Sequence, residues 1–176
     1  MSTNAYIARQ PIVDGNHQLM AYELLFRHSA QAESARIESD VDAGITVISN
    51  TLCNMGTDWL LKGKLAFVNM EQSMLMSSFS TLLPHDKVVI EVLEGRAPNL
   101  DALVRFVEDR KAEGFLIAVD DYGTGHSNPE RLVRIEPDIL KIDRALVHGA
   151  ASSIPRREAS RSVAALARAI GAVVIA

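Results

Sequence analysis

The chain has 176 residues, 48% hydrophobic and 23% charged, with a net charge of −4, enough for one sizeable core and typical of a soluble globular domain. The negative balance argues against a generic nucleic-acid surface, so no DNA partner is expected, although a small anionic ligand held by a few basic groups stays open. A single cysteine, Cys53, excludes an internal disulfide and a cysteine-based zinc site. There is no apolar run of bilayer length and no leader-like N-terminus, so no membrane association is expected and the cytoplasm is the default location.

Ala5–Val13 and Gln18–Phe26 read as strands joined by Asp14-Gly15-Asn16, so the chain opens with an antiparallel hairpin. His28–Asp40 is polar and reads as loop or weak helix. Val41, Ile45, Ile48, Leu52 and Met55 recur at helical spacing behind Asp40 as N-cap, and Gly56 ends that helix. Leu65–Asn69 is a short strand, and Met70–Leu83 is helical as far as Pro84. Val88–Leu93 is strand-like. A helix then starts at Pro98-Asn99, gathers Leu100, Leu103, Val104 and Val107 on one face, and closes at Gly114. Phe115–Asp120 is a buried strand, Pro129–Ile135 a short helix, and Ile139–Ile142 a short strand before Asp143. Arg156–Ile170 is amphipathic, with Ala159, Val163, Leu166, Ala167 and Ile170 opposed to Arg157, Arg161 and Arg168. Gly171 ends it, and Ala172–Ala176 is one more apolar strand.

After the hairpin, strand and helix alternate with short connections, which implies right-handed βαβ units and a parallel sheet. No Gly-x-Gly-x-x-Gly follows the first parallel strand, so a dinucleotide-binding fold is disfavoured. About seven short apolar strands with polar residues at their C-terminal ends point to an α/β fold of the TIM-type (β/α)8 barrel class, with an antiparallel first strand. Such a barrel takes roughly 250 residues, so residues 1–176 are expected to form one barrel domain incomplete at its C-terminus, without the last helix and strand.

The polar residues near the strand ends are Glu23, Asn69, Glu91, Asp120, Asp121 and Lys141, each flanked by apolar neighbours. A charge inside an apolar strand is costly to bury unless it is paired or bound to a cation. Asp120-Asp121 runs into Tyr122-Gly123-Thr124-Gly125, and on these residues alone the acids read equally as turn residues or as metal ligands. Taken together, four carboxylates and one amide oxygen are hard ligands of the kind Mg2+ or Mn2+ takes. Five such groups suffice for two ions and an in-line phosphoryl displacement, with Lys141 orienting water or balancing phosphate charge. A lysine in this setting is equally a salt-bridge partner for a neighbouring carboxylate, and both readings can hold together.

The motifs, in order, resemble the EAL domain family, which hydrolyses the bacterial second messenger cyclic di-GMP. Glu23-Leu24-Leu25 stands at the signature Glu-Ala-Leu, with Leu24 in place of Ala. Phe67-Val68-Asn69 is similar to the family's metal-binding Asn strand, and Glu91-Val92-Leu93-Glu94 to its Glu-Leu-Thr-Glu strand. Asp120-Asp121-Tyr122-Gly123-Thr124-Gly125 is similar to Asp-Asp-Phe-Gly-Thr-Gly, and Leu140-Lys141-Ile142-Asp143 to Leu-Lys-Ile-Asp. The resemblance implies a cyclic di-GMP phosphodiesterase-type signalling domain yielding linear pGpG with Mg2+ or Mn2+. It implies metal ligation by Glu23, Asn69, Glu91, Asp120 and Asp121, and catalysis resting on Lys141, Glu23 and Asp120. It places Arg27, Leu25 and Gln10 at the ligand, with Arg27 on its phosphate, and gives Gly123, Thr124 and Gly125 a loop role that couples the site to a homodimer. Ala8-Arg9-Gln10-Pro11-Ile12 and Tyr22–Arg27 further resemble proteins in which an EAL-like domain precedes an HDOD domain and acts in regulation. The family's next motif, Ala-Glu-Gly-Val-Glu, falls after Ala176, so part of the catalytic set is expected to be missing. Leu24 adds bulk beside a metal ligand. The alternative is therefore a catalytically inactive EAL domain serving as a cyclic di-GMP receptor or a protein-interaction module.

Overall fold

A computed structural model describes residues 6–27, 61–70, 83–93, 99–123 and 127–176. The helical stretch expected over 41–56 lies outside the described residues, as do all but the two ends of the one expected over Met70–Leu83, and Asp40, Cys53, Glu94, Thr124 and Gly125; Met70, expected to open that helix, is instead the last residue of a strand. The strands are β1 Tyr6–Val13, β2 Leu19–Arg27, β3 Leu65–Met70, β4 Val88–Leu93, β5 Leu116–Tyr122, β6 Ile139–Ile142 and β7 Val173–Ile175. The helices are α1 Leu100–Ala112, α2 Pro129–Ile135, α3 Arg144–Val147 and α4 Ile154–Ala169. The chain divides into two compact units, Met1–Asn69 with Ser73–Val89, and Met70–Gln72 with Ile90–Ala176. Within each, neighbouring strands follow chain order, β1-β2-β3 in the first and β4-β5-β6-β7 in the second.

In the first unit, β1 and β2 are antiparallel, with Gln10 opposite Glu23 and Tyr6 opposite Arg27. The turn is tied by the Asp14 carboxylate, which accepts the N–H groups of Asn16 and Gln18 at 2.8 and 2.9 Å, an Asx-type closure. His17, just past the expected tripeptide, takes the left-handed conformation with φ 61°. β2 then pairs with β3 in parallel, Glu23 beside Phe67. Ala66 donates its N–H to the Lys87 carbonyl at 2.8 Å. Ala21, Tyr22, Leu24, Ala66, Phe67 and Val68 are buried, as expected where both faces of a parallel strand are covered.

In the second unit, β5, β6 and β7 pair in parallel. Asn99 caps α1, its side chain accepting the Ala102 N–H at 3.0 Å, and the helix buries Leu103, Phe106 and Val107. Phe106 joins the face expected from the spacing. Asn128 and Pro129 open α2 as cap and first residue. α3 is a single turn absent from the periodic pattern, nucleated by the Asp143 side chain accepting the Ala145 N–H at 2.7 Å. α4 begins two residues before the expected Arg156, because Pro155 suits the first turn. The N-terminal ends of the strands are tied at Asp138. Its carboxylate accepts the Ile117 N–H at 2.9 Å and meets Lys111 Nζ at 3.2 Å, while its carbonyl accepts the Val173 N–H at 2.9 Å. Among the described residues no helix is long and apolar enough to cross a membrane.

Candidate functional site

The first unit carries two of the expected ligands. Glu23 lies on β2 and Asn69 near the end of β3, and the Asn69 amide donates from Nδ2 to Glu23 Oε1 at 3.3 Å. That bond orients the amide and leaves its oxygen to act as the acceptor. Both side chains are half-buried between fully buried neighbours. Gln10 stands opposite Glu23 in the antiparallel register and is exposed, so the two belong to the same face of the hairpin. Leu25 is half-buried, and Arg27 closes β2. Leu24 is 1% exposed, and strand alternation sends it to the face opposite Glu23. Of the two outcomes open to the bulk of Leu24, crowding of the metal ligand or absorption by packing, its burial favours the second. Arg9, exposed, lies with its guanidinium 4.6 Å from the centroid of the buried Tyr22 ring, a cation–π contact the sequence did not signal.

The second unit carries the others. Glu91 on β4 is fully buried, the only buried charged side chain among the described residues. Lys141 on β6 reaches it, Nζ to Oε1 at 2.5 Å, and also reaches Asp120 Oδ1 on β5 at 3.0 Å. A carboxylate oxygen of Glu91 and one of Asp120 lie within 4.8 Å of each other. A buried carboxylate stays ionised only with a cation beside it, and here the neighbouring strands supply one.

Asp120 and Asp121 sit in a bulge. Val119 pairs with Leu140 and Tyr122 with Ile142, so three steps along β5 match two along β6. Asp121 takes φ 56° and is exposed. An unbroken strand sends adjacent side chains to opposite faces; a bulge inserts one residue, bends the strand and re-aims its side chains. Asp tolerates the left-handed conformation better than most residues.

The end of β5 is held from two sides. The Tyr122 carbonyl accepts the Asp143 N–H at 2.8 Å, and Gly123 donates its N–H to Ser127 Oγ at 2.6 Å. Gly123 has φ 111°, which favours glycine, and a Cβ there would stand 3.0 Å from Leu146 Cδ2, so that side chain would have to shift as well. Ser127 and Leu146 carry no site signal in the sequence, whereas Asp143 closes the Leu140-Lys141-Ile142-Asp143 motif and is a cap-type residue before α3.

A family model described as EAL domain matches residues 3–176. The chain is 34% identical over 141 residues to YuxH of Bacillus subtilis, covering 78% of this chain and 34% of that protein. It is 29% identical over 117 residues to the cyclic di-GMP phosphodiesterase CdgJ of Vibrio cholerae, covering 66% of this chain and 27% of that one. Among solved structures, the manganese and cyclic di-GMP complex of BlrP1 from Klebsiella pneumoniae is similar with a TM-score of 0.80 at 22% identity, over 97% of this chain and 48% of that one. The EAL-domain protein YkuI of Bacillus subtilis, in complex with cyclic di-GMP and calcium, gives a TM-score of 0.71 at 23% identity over 97% and 48%. The chain thus spans about a third or less of the length of these two curated relatives. The structural likeness bears out the expected fold class, a TIM-type α/β barrel with an antiparallel first strand, seven of whose strands are described.

Proposed function

Because the chain belongs to the EAL domain family, we propose that it is a cyclic di-GMP phosphodiesterase-type signalling domain that opens the cyclic dinucleotide to linear pGpG. The observation that carries this reading is the Glu91–Lys141–Asp120 constellation built around the buried Glu91, set on three strands of a chain matched by the family model over residues 3–176. Support also comes from relatives whose names state this activity, CdgJ among them.

The donor set fits a divalent cation. Glu23, Asn69, Glu91, Asp120 and Asp121 offer only hard oxygens, and the fully buried Glu91 stands close to Asp120. In this proposal they hold Mg2+ or Mn2+, two ions in all, with residues 1–176 acting as one barrel domain. Bound ions supply an activated water and neutralise charge on the scissile phosphate. The residues do the rest. Lys141 places an ammonium at the same carboxylates, where it steadies the attacking water and the phosphate oxygens. Arg27, at the end of β2, grips a phosphate, and Gln10 and Leu25 border the ligand. One P–O bond opens: the water's hydroxyl joins phosphorus and its proton ends on the leaving ribose oxygen. Gly123, Thr124 and Gly125 couple the loop after β5 to a second copy of the chain, an HDOD or other signalling domain is a further partner, and the setting is cytoplasmic.

Calorimetric titration of cyclic di-GMP with and without Mn2+ tests the reading. Metal-dependent binding accompanied by linear product is expected. Metal-dependent binding without product makes the domain a receptor. Absence of binding by folded protein contradicts the assignment.

A further inference from the structure

We propose that Lys141 is an internal competitor for the metal: it neutralises Glu91 and Asp120 until an ion takes its place, and is thereby released toward the substrate phosphate only in a loaded site. The inference rests on the metal-site reading above and extends it to how loading is controlled.

The geometry is specific. Lys141 Nζ lies 2.5 Å from Glu91 Oε1 and 3.0 Å from Asp120 Oδ1, and the three side chains are 13%, 0% and 14% exposed. This is not a chance meeting of long surface side chains. Val119 pairs with Leu140 and Tyr122 with Ile142, so the bulge of β5 brings Asp120 and Asp121 alongside Lys141 on the adjacent strand. A fully buried Glu91 keeps its charge only beside a cation. Lysine supplies one as a compact point charge on a flexible four-carbon stem, which is the form most easily exchanged for a small ion. Arginine at the same place would grip a carboxylate with two parallel hydrogen bonds and resist exchange.

The donors claimed by Lys141 are the same oxygens a divalent ion needs. Glu91 and Asp120 cannot keep the ammonium in contact and accept a doubly charged ion without like-charge repulsion, which is little screened at side chains this far from solvent. They therefore exchange one cation for the other, and the flexible stem lets Lys141 withdraw. Two consequences follow. The ion's apparent affinity is lowered by the competition, and the ammonium becomes available only where the ion is in place.

The test is calorimetry of Mn2+ on the whole chain, with thermal unfolding at zero and saturating Mn2+, for wild type, Lys141→Met and Lys141→Arg. The proposal expects Lys141→Met to bind Mn2+ at least about tenfold more tightly than wild type, since a repelling charge is gone. It expects that variant to unfold at a lower temperature without ion and to gain more from saturating Mn2+ than wild type does. Lys141→Arg, which keeps the charge, binds no more tightly than wild type. A Lys141→Met chain that folds only with Mn2+ supports the exchange directly. One that stays unfolded at saturating Mn2+ overturns it, because the lysine's charge is then not replaceable by the ion. Equal or weaker Mn2+ binding by folded Lys141→Met also overturns it while leaving the metal site standing. Wild type that shows neither Mn2+ binding nor a thermal shift removes the metal-site reading itself, and this inference with it.

Discussion

Glu91 is the residue on which the second unit's chemistry turns. It is fully buried, and its charge is matched by Lys141. Breaking such a pair from one side leaves the other charge buried, and Glu91→Ala is predicted to cost about 3–5 kcal/mol in chemical denaturation. Glu91, Asp120 and Lys141 were legible in the sequence for a simple reason: charges embedded in apolar strands demand partners. The conformation of Asp121 was not legible. Period-two alternation sets it opposite Asp120, and only the pairing with β6 reveals the bulge and the φ of 56°. Backbone and carboxylate can be separated there. Asp121→Gly is expected to leave stability unchanged or slightly raised, whereas Asp121→Val, β-branched in the left-handed region, loses about 1–3 kcal/mol by the same assay. Equal effects of the two changes would show that the backbone is not the constraint. Leu24 gives the converse lesson: its identity left both crowding and repacking open, and its burial on the other face of β2 favours repacking.

Elements are placed by small polar devices that periodicity does not report. Alternation of strands and helices was readable because apolar runs and Gly, Pro and Asn boundaries recur in order, and α2 and β6 fall where the pattern sets them. α3 escaped because a single turn has no period; it exists through the Asp143 cap. The tie at Asp138 escaped because its partners, Ile117, Lys111 and Val173, are distant in sequence. Asp138→Ala removes the acceptor for a strand N–H and the partner of Lys111, and is predicted to lower stability by about 1–3 kcal/mol. No change in the denaturation midpoint would deny the tie its role. α1 and α2 are also linked, by Arg134 to Asp101 at 2.6 Å. The Arg134 hydrogen bond and charge hold the Asp101 carboxyl below its usual value. The sign follows: a lowered folded value means the link contributes above the ordinary carboxylate pKa and is lost as pH falls through the lowered one. Arg134→Ala is expected to move the Asp101 midpoint upward in an NMR titration of side-chain carboxyls. An unmoved midpoint would mean that Arg134 is not the cause.

At the scale of the whole molecule, the succession of a hairpin and then alternating strands and helices specified the barrel class, and the likeness to EAL-domain structures bears it out. The site was legible as a set of residue types at strand ends; its electrostatic balance was not, because the partnership of Lys141 with two carboxylates depends on strand register. The most direct measurement is chromatographic detection of linear pGpG after incubating cyclic di-GMP with the wild-type chain and with Asp120→Asn, each with Mn2+ and with chelator. The account predicts product from wild type with Mn2+ only, and a loss of at least about a hundredfold in Asp120→Asn, the scale for removing one group that stabilises transition-state charge. Product that persists in chelator, or that Asp120→Asn forms at the wild-type rate, would contradict it.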